Sequence, residues 1–238
     1  MRMKTNAWLA LVALVVLIPG ASLALGPYSQ DFEGLNQADT AALGDDGWLV
    51  YGNVFGPDWA WWYGYGTFPA PNDGGAFCQI ADGEGGAQQG AQQLVAYSDY
   101  NNLDHGNGAY IESNVFQEQL IGPGDVTEVW FFHWDAKMGN LEGGSTALAF
   151  IKTLDPNAGY ATTNYLTVDM TSIPDTWGSY LLYIFIDPSL DGQILQFGFS
   201  NTATNYEGSG VFYDNINFNI SPVATEETSF DSVKSLFR

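Results

Sequence analysis

Residues 126–137 read VTEVWFFHWDAK, and this segment decides the fold class. Its even positions from Trp130 to Ala136 are apolar, whereas its odd positions include His133 and Asp135. Alternation with a period of two residues predicts a β-strand that packs one face into a core and leaves the other face semi-polar. His133 and Asp135, on the semi-polar face, are therefore candidate ligand-binding residues.

Segments of the same kind recur along the chain. Short aromatic and β-branched runs alternate with clusters of Gly, Asn, Asp and Pro, and no helical period persists after residue 24. This pattern predicts an all-β fold, namely a two-sheet antiparallel jelly-roll sandwich in a single domain. Residues 35–43 are expected to form a helical turn or two. The predicted strands are residues 28–33, 48–55, 60–65, 77–80, 93–97, 110–116, 126–137, 146–152, 165–169, 177–187, 194–201 and 211–220.

Three of these strands suggest how one sheet is arranged. Residues 194–201 alternate as residues 126–137 do, with Phe197 and Phe199 inward and Gln196 outward. Residues 177–187 are apolar on both faces, which is typical of a central strand. We expect the three strands to share one sheet with a partly aromatic, partly polar outer surface, and Gln196 to be a candidate ligand-binding residue there.

The two ends of the chain differ in composition from its middle. Arg2 and Lys4 precede an apolar run that is too short to span a bilayer, and residues 22–24 form a small-x-small cleavage site. Residues 1–24 are thus predicted to be a secretory signal peptide, which leaves a secreted protein without membrane insertion. Residues 25–221 form the predicted binding domain. Residues 222–238 form a polar linker and a short tail, interpreted either as a frayed end or as a sorting segment for a surface partner.

The charge balance excludes some partners. The chain has 27 acidic against six basic residues and a formal net charge of −21, and cleavage of the signal would remove two of the bases. Such a surface repels phosphate backbones, so we expect no nucleic-acid partner. The single cysteine, Cys78, cannot form an internal disulfide and is interpreted as a small buried hydrophobe.

Carboxylates lie inside aromatic β-type runs near both ends of the predicted domain. The first run is QDFE, residues 30–33, and the second is VFYDNI, residues 211–216. An unpaired carboxylate is costly in such surroundings. A hard cation with oxygen ligands would offset this cost, so we predict a structural Ca²⁺ that joins the first strand to the last. The alternative is that these carboxylates are exposed strand-end residues.

An aromatic segment is the main candidate for binding. Residues 59–65 read WAWWYGY, and alternation would place Trp59, Trp61, Tyr63 and Tyr65 on one face with Trp62 opposite. Flat rings stack on the apolar C–H faces of sugars, while polar neighbours bond the hydroxyls. Ordinary core packing is the competing interpretation for any single ring.

Signals for catalysis are weak. The chain contains no Gly-x-Ser-x-Gly and no His-Glu-x-x-His motif. The nearest candidates for a carboxylate pair, Glu112, Glu118 and Glu128, lack the spacing of the strand motif found in jelly-roll glucanases. His105 lies in a Gly/Asn turn and is expected to be exposed. We therefore expect a protein that is not an enzyme.

The order of several short motifs resembles that of secreted carbohydrate-binding modules of the β-jelly-roll, galactose-binding-like type. The motifs are the two acidic runs, Gly47-Trp48, the FFHWDAK segment and Thr176-Trp177. The resemblance implies a non-catalytic glycan-binding module with a structural calcium, held by Glu33 and Asp214 with Asp31 as a further ligand. Two alternatives remain, an extracellular surface or matrix adhesion protein and a jelly-roll polysaccharide-degrading enzyme.

Overall fold

The computed structural model describes residues 24–220 of the chain. The predicted signal peptide, apart from its last residue, and the predicted tail lie outside these residues. Within residues 24–220, no helix is long and apolar enough to cross a membrane.

The described residues form twelve strands, and every predicted strand is confirmed with small shifts of its ends. A four-residue helix, Ala42–Asp45, is the single turn found where residues 35–43 were expected to be helical. Short 3-10 helices occur at Leu103–Asn107, Pro156–Ala158 and Pro188–Leu190. The strands are β1 Tyr28–Gln30, β2 Leu49–Phe55, β3 Trp61–Pro69, β4 Cys78–Asp82, β5 Gln92–Ala96, β6 Tyr110–Leu120, β7 Val129–Met138, β8 Thr146–Asp155, β9 Ala161–Asp169, β10 Gly178–Phe185, β11 Ile194–Thr204 and β12 Val211–Asn219.

Two antiparallel sheets pack face to face, as predicted. Sheet A has the order β10-β7-β12-β5-β4, and β1 also pairs with β12. Sheet B has the order β3-β2-β6-β11-β8-β9. The first strand is thus joined to the last, with Tyr28 opposite Phe218 and Gln30 opposite Ile216.

Aromatic rings from both sheets fill the space between them. Phe132 and Trp134 of β7 are fully buried, as are Phe197 and Phe199 of β11. The ring centroids of Phe132 and Phe197 lie 5.2 Å apart, and those of Trp134 and Phe199 lie 6.1 Å apart. Such pairs add about 0.5–1.5 kcal/mol each beyond the area they bury. The inward faces of these two strands are therefore as the sequence predicted.

The arrangement of three strands differs from the prediction. β7 and β10 pair in sheet A, but β11 is central in sheet B. β10 is also an edge strand rather than a central one, with Leu181, Tyr183 and Phe185 exposed. Apolar residues on both faces of a segment thus did not indicate a central strand here, because its outward face remains open to solvent.

Candidate functional site

A row of side chains crosses the outer face of sheet B. Glu118 of β6 lies opposite Gln196 of β11, which lies opposite Lys152 of β8, which lies opposite Tyr165 of β9. These positions alternate with the inward residues Leu195 and Phe197, so they face away from the core. Four strands that are distant in sequence thus build one polar surface.

Part of this surface, the floor formed by Asn114, Phe116, Phe150 and Gln196, is recessed. Asn114 and Gln196 are only 2% and 4% exposed, and Phe116 and Phe150 beside them are also buried. Gly198 lies between these two rings in the strand register, and a Cβ there would lie 2.6 Å from the Phe116 Cα. Residues on the outer face of a flat sheet would stay in contact with water. Since these residues are buried, neighbouring side chains must cover them.

Hydrogen bonds connect the floor to one edge of sheet B. Trp61 of β3 donates from Nε1 to Asn53 Oδ1 at 3.2 Å, and Asn53 donates from Nδ2 to Glu112 Oε1 at 2.8 Å. The Asn114 amide donates to the same Glu112 oxygen at 3.0 Å. Trp61 itself is 60% exposed. A solvent-facing indole is therefore held beside an ordered set of amide and carboxylate groups.

Gln196 keeps one acceptor free at the centre of the floor. Its Nε2 donates to Glu118 Oε2 at 2.7 Å, but its Oε1 is buried without a hydrogen-bond partner among residues 24–220. A buried polar atom without a partner costs free energy, typically about 1–3 kcal/mol.

Lys152 is the one Lys or Arg side chain of residues 24–220 that lies on this surface. Burial lowers the pKa of its ammonium, while the charges of Glu112 and Glu118 act in the opposite direction. Two carboxylates against one ammonium leave the surface with an excess of negative charge. The surface therefore disfavours anionic ligands.

The predicted aromatic residues do not all share one face. Trp59, Trp61, Trp62 and Tyr63 are all exposed, but a register shift between Val54 and Phe55 interrupts the alternation of β3 against β2. Trp61 consequently lies opposite Phe55, on the side of Asn53, where its indole is bonded. The prediction of one shared face is wrong, because alternation holds only where the register is continuous.

Tyr63 and Tyr65 make separate contacts. The Tyr63 hydroxyl donates to Asp104 Oδ2 at 2.6 Å, and the Tyr65 hydroxyl donates to Asp99 Oδ2 at 2.7 Å. Tyr65 also packs against the buried Phe77 with ring centroids 6.0 Å apart. Tyr65 thus acts as a packing residue, and Tyr63 remains at the periphery.

Two predicted ligand-binding residues lie on the opposite side of the sandwich. His133 and Asp135 are on the outer face of sheet A, so the structure does not bring them together with Gln196. Asp135 accepts hydrogen bonds from Gln89, Asn215 and Ser179 at 2.6–2.8 Å. These contacts assign Asp135 a structural role in sheet A.

The predicted metal-binding carboxylates lie near one another, although they do not form a ready cluster. Asp214 is 1% exposed, and its Oδ2 has no hydrogen-bond partner within the described part of the chain. Burial, with smaller contributions from Asp135, Asp31 and Glu33, raises the pKa of Asp214 to about 7. Glu33 Oε1 accepts from the backbone N–H groups of residues 91 and 92 at 2.7 and 2.6 Å. Residues 24–220 contain no group of three or more His, Cys, Asp or Glu side chains arranged to hold a metal ion.

Sequence reasoning missed several residues of the outer face of sheet B. Lys152 could have been noticed, since it is one of only two Lys or Arg residues between positions 24 and 220 and interrupts an apolar run. Its neighbours in the sheet come from other strands, so their proximity leaves no local signal. The residues missed in this way are Asn53, Asn114, Lys152 and Tyr165, whereas Glu112 and Glu118 were considered only as a carboxylate pair for catalysis.

The two glutamates of this face do not form a hydrolytic pair. Glu112 and Glu118 are both on β6, six residues apart. A strand rises about 3.3 Å per residue, so their Cα atoms are roughly 20 Å apart. Glycosidases need carboxyl groups roughly 5–9.5 Å apart. These two side chains therefore cannot act together on one glycosidic bond.

No family model matches the chain, and no curated protein matches it. Among solved structures, it is similar to the CBM22-2 xylan-binding domain from Paenibacillus barcinonensis Xyn10C, at 10% identity and a TM-score of 0.43 over 82% of this chain and 99% of that one. It is also similar to a Stig cyclase, Fisc, from Fischerella sp. TAU, at 14% identity and a TM-score of 0.47 over 82% of this chain and 94% of that one.

A third similar structure is the enzymatically active domain of tailspike protein 4 from bacteriophage CBA120. It has 11% identity and a TM-score of 0.46 over 79% of this chain, which spans only 21% of that one. No site residue is transferred from any of these proteins. The two antiparallel sheets themselves give this chain its jelly-roll sandwich architecture.

Proposed function

We propose that the chain is a secreted, non-catalytic domain that binds an uncharged polysaccharide on the outer face of sheet B. One observation carries this proposal: hydrogen bonds join the exposed indole of Trp61, through Asn53 and Glu112, to the buried amide of Asn114 in the recessed polar floor. A polysaccharide offers apolar ring faces for the indole and hydroxyls for the polar groups along this face.

The charge of the surface selects the class of glycan. Glu112 and Glu118 outnumber Lys152, so a polyuronate or sulfated chain would meet repulsion. A neutral polysaccharide brings hydroxyls that both donate to the carboxylates and accept from the amides of Asn53 and Asn114. We therefore expect neutral plant or microbial glycans to be bound in preference to acidic ones.

The experiment is an array of neutral and acidic hexasaccharides probed with the full-length secreted chain. Trp61→Ala should weaken binding of the best neutral ligand about tenfold, because the lost ring stacking is worth roughly 1–1.5 kcal/mol. Tyr183→Ala is the matched control, since Tyr183 is an exposed aromatic residue on the outer face of sheet A. Equal losses in both variants, or no neutral ligand at all, would contradict the proposal.

A structural calcium is the second part of the proposal. Asp214 would supply a side-chain oxygen, with Asp31 and Glu33 as further carboxylates whose charges already act on it. The unpartnered Oδ2 of Asp214 supports this assignment, because a buried carboxylate oxygen needs a hydrogen-bond donor or a cation. Ca²⁺ accepts several carboxylate and carbonyl oxygens in a flexible geometry. In this role the ion would stabilise the junction of β1 and β12.

A surface-adhesion function is the competing candidate. The exposed apolar side chains of β10, Leu181, Tyr183 and Phe185, are the observation that favours it. The same array discriminates the two functions, because a domain that adheres only through this apolar strand would bind no neutral hexasaccharide and would show no dependence on Trp61.

A further inference from the structure

A second groove lies on the outer face of sheet A. Gln79 of β4 is opposite Val95 of β5, Val95 is opposite Phe212 of β12, and Phe212 is opposite Lys137 of β7. A cavity of about 630 Å³ opens over the first three of these residues. Its volume falls in the range of roughly 300–1,000 Å³ that is typical of small-molecule sites.

Lys137, the one Lys or Arg beside this groove in the described residues, already has partners. Lys137 Nζ lies 2.7 Å from Glu84 Oε2, and it is 5.3 Å from the ring centroid of Phe212 and 5.6 Å from that of Trp177. Lys152, the only other Lys or Arg among residues 24–220, is on the outer face of sheet B. An anionic ligand would therefore find no free positive partner in the described residues of the groove.

Several groups in the groove match a polyhydroxylated ligand. Phe212 contributes an aromatic ring to the wall of the cavity, and Asp73 and Asp82 line it with carboxylates. Within the described part of the chain, the amide of Gln79 and the carboxylate of Asp82 make no side-chain hydrogen bond, so both are free for a ligand. A flat ring beside free amide and carboxylate groups suits an uncharged sugar.

We propose that this groove is a second saccharide site, for an uncharged sugar unit, on the opposite side of the sandwich from the first. It goes beyond the proposed function, because two sites on opposite outer faces let one chain bridge two glycan strands. Linking two binding sites in this way raises the avidity for a polymer without any new contact. The two sites share a ligand class but no residue.

The test is a calorimetric titration of the full-length chain with the neutral hexasaccharide that gives the strongest array signal. We expect two sites per chain. Phe212→Ala should weaken one site about tenfold and leave the other unchanged, and Trp61→Ala should do the reverse. Gln79→Ala is a second, milder variant, because Gln79 lies on an edge strand and its side chain makes no hydrogen bond that folding requires. Hexagalacturonate should bind at neither site.

The outcomes separate the two proposals. Two sites that respond independently to Phe212→Ala and Trp61→Ala support both. A single site that is sensitive only to Trp61→Ala overturns the second groove and leaves the proposed function intact. A single site that is sensitive only to Phe212→Ala and Gln79→Ala overturns the first site and keeps the second. Tight binding of hexagalacturonate sensitive to Phe212→Ala overturns the ligand class proposed for the groove.

Discussion

His105 lies between the rings of Tyr100 and Tyr206, with centroids 5.6 and 4.7 Å from its own, and it is fully buried. The sequence predicted an exposed turn residue, which is wrong. The turn exists as the 3-10 helix Leu103–Asn107, but its histidine is covered by Tyr100, just before the turn, and by Tyr206, from the loop between β11 and β12. Burial lowers the pKa of His105, and it also lowers the pKa of His133.

The lowered pKa of His105 predicts a pH dependence of stability. The folded state favours the neutral ring, so its contribution is complete above the unfolded pKa of about 6.5 and is lost as the pH falls below it. The urea midpoint should therefore fall less between pH 7 and pH 5 in His105→Gln than in the wild type. Comparison of the two proteins is necessary because Asp214, with its raised pKa, titrates in the same range with the opposite sign. Parallel pH profiles would contradict the prediction.

At the scale of elements, the strands could be predicted but their partners could not. Period-two alternation marks a strand such as β7 from its own residues. The row Glu118–Gln196–Lys152 joins three strands separated by dozens of positions, and nothing local specifies which strands pair. The outer face of sheet B therefore remained hidden in the sequence, although its exposed aromatic edge at Trp61 was anticipated.

A register shift explains why the aromatic residues of β3 do not share one face. The side chains of β3 were assigned to faces by simple alternation, which a single register shift against β2 reverses. Another shift lies between Asp214 and Asn217, where β12 pairs with β7. Such irregularities depend on how neighbouring strands fit together, so a pattern within one strand cannot locate them.

The junction of β1 and β12 carries a prediction about calcium. An ion at a hundredfold excess over its Kd stabilises the folded state by about 2.7 kcal/mol. Chelation should then lower the melting temperature by roughly 5–10 °C for a domain of this size. Asp214→Asn should remove that response, and Asp187→Asn, at an exposed carboxylate, should retain it. Melting curves that are indifferent to EDTA would contradict the calcium proposal.

At the scale of the whole molecule, all twelve described strands lie between Tyr28 and Asn219. Residues 222–238 lie outside the described part, and their proposed role is sorting through a surface partner. Deleting them should leave the melting temperature within error, because the deletion removes none of the twelve described strands. Cell fractionation tests the sorting role: the truncated protein should shift from the cell surface to the medium. A large loss of stability would show that the segment contributes to the fold.

The place where the glycan binds can be tested directly through the NMR signals of the tryptophan indole N–H groups. Trp61 is exposed beside the proposed site, whereas Trp48, Trp130 and Trp134 are buried in the core. We propose a ¹⁵N NMR titration of the full-length chain with the best neutral hexasaccharide. If the glycan binds on the outer face of sheet B, the Trp61 Nε1–H signal moves on binding while the three core indole signals stay in place. A Trp61 signal that is unchanged at saturation would contradict binding on the outer face of sheet B.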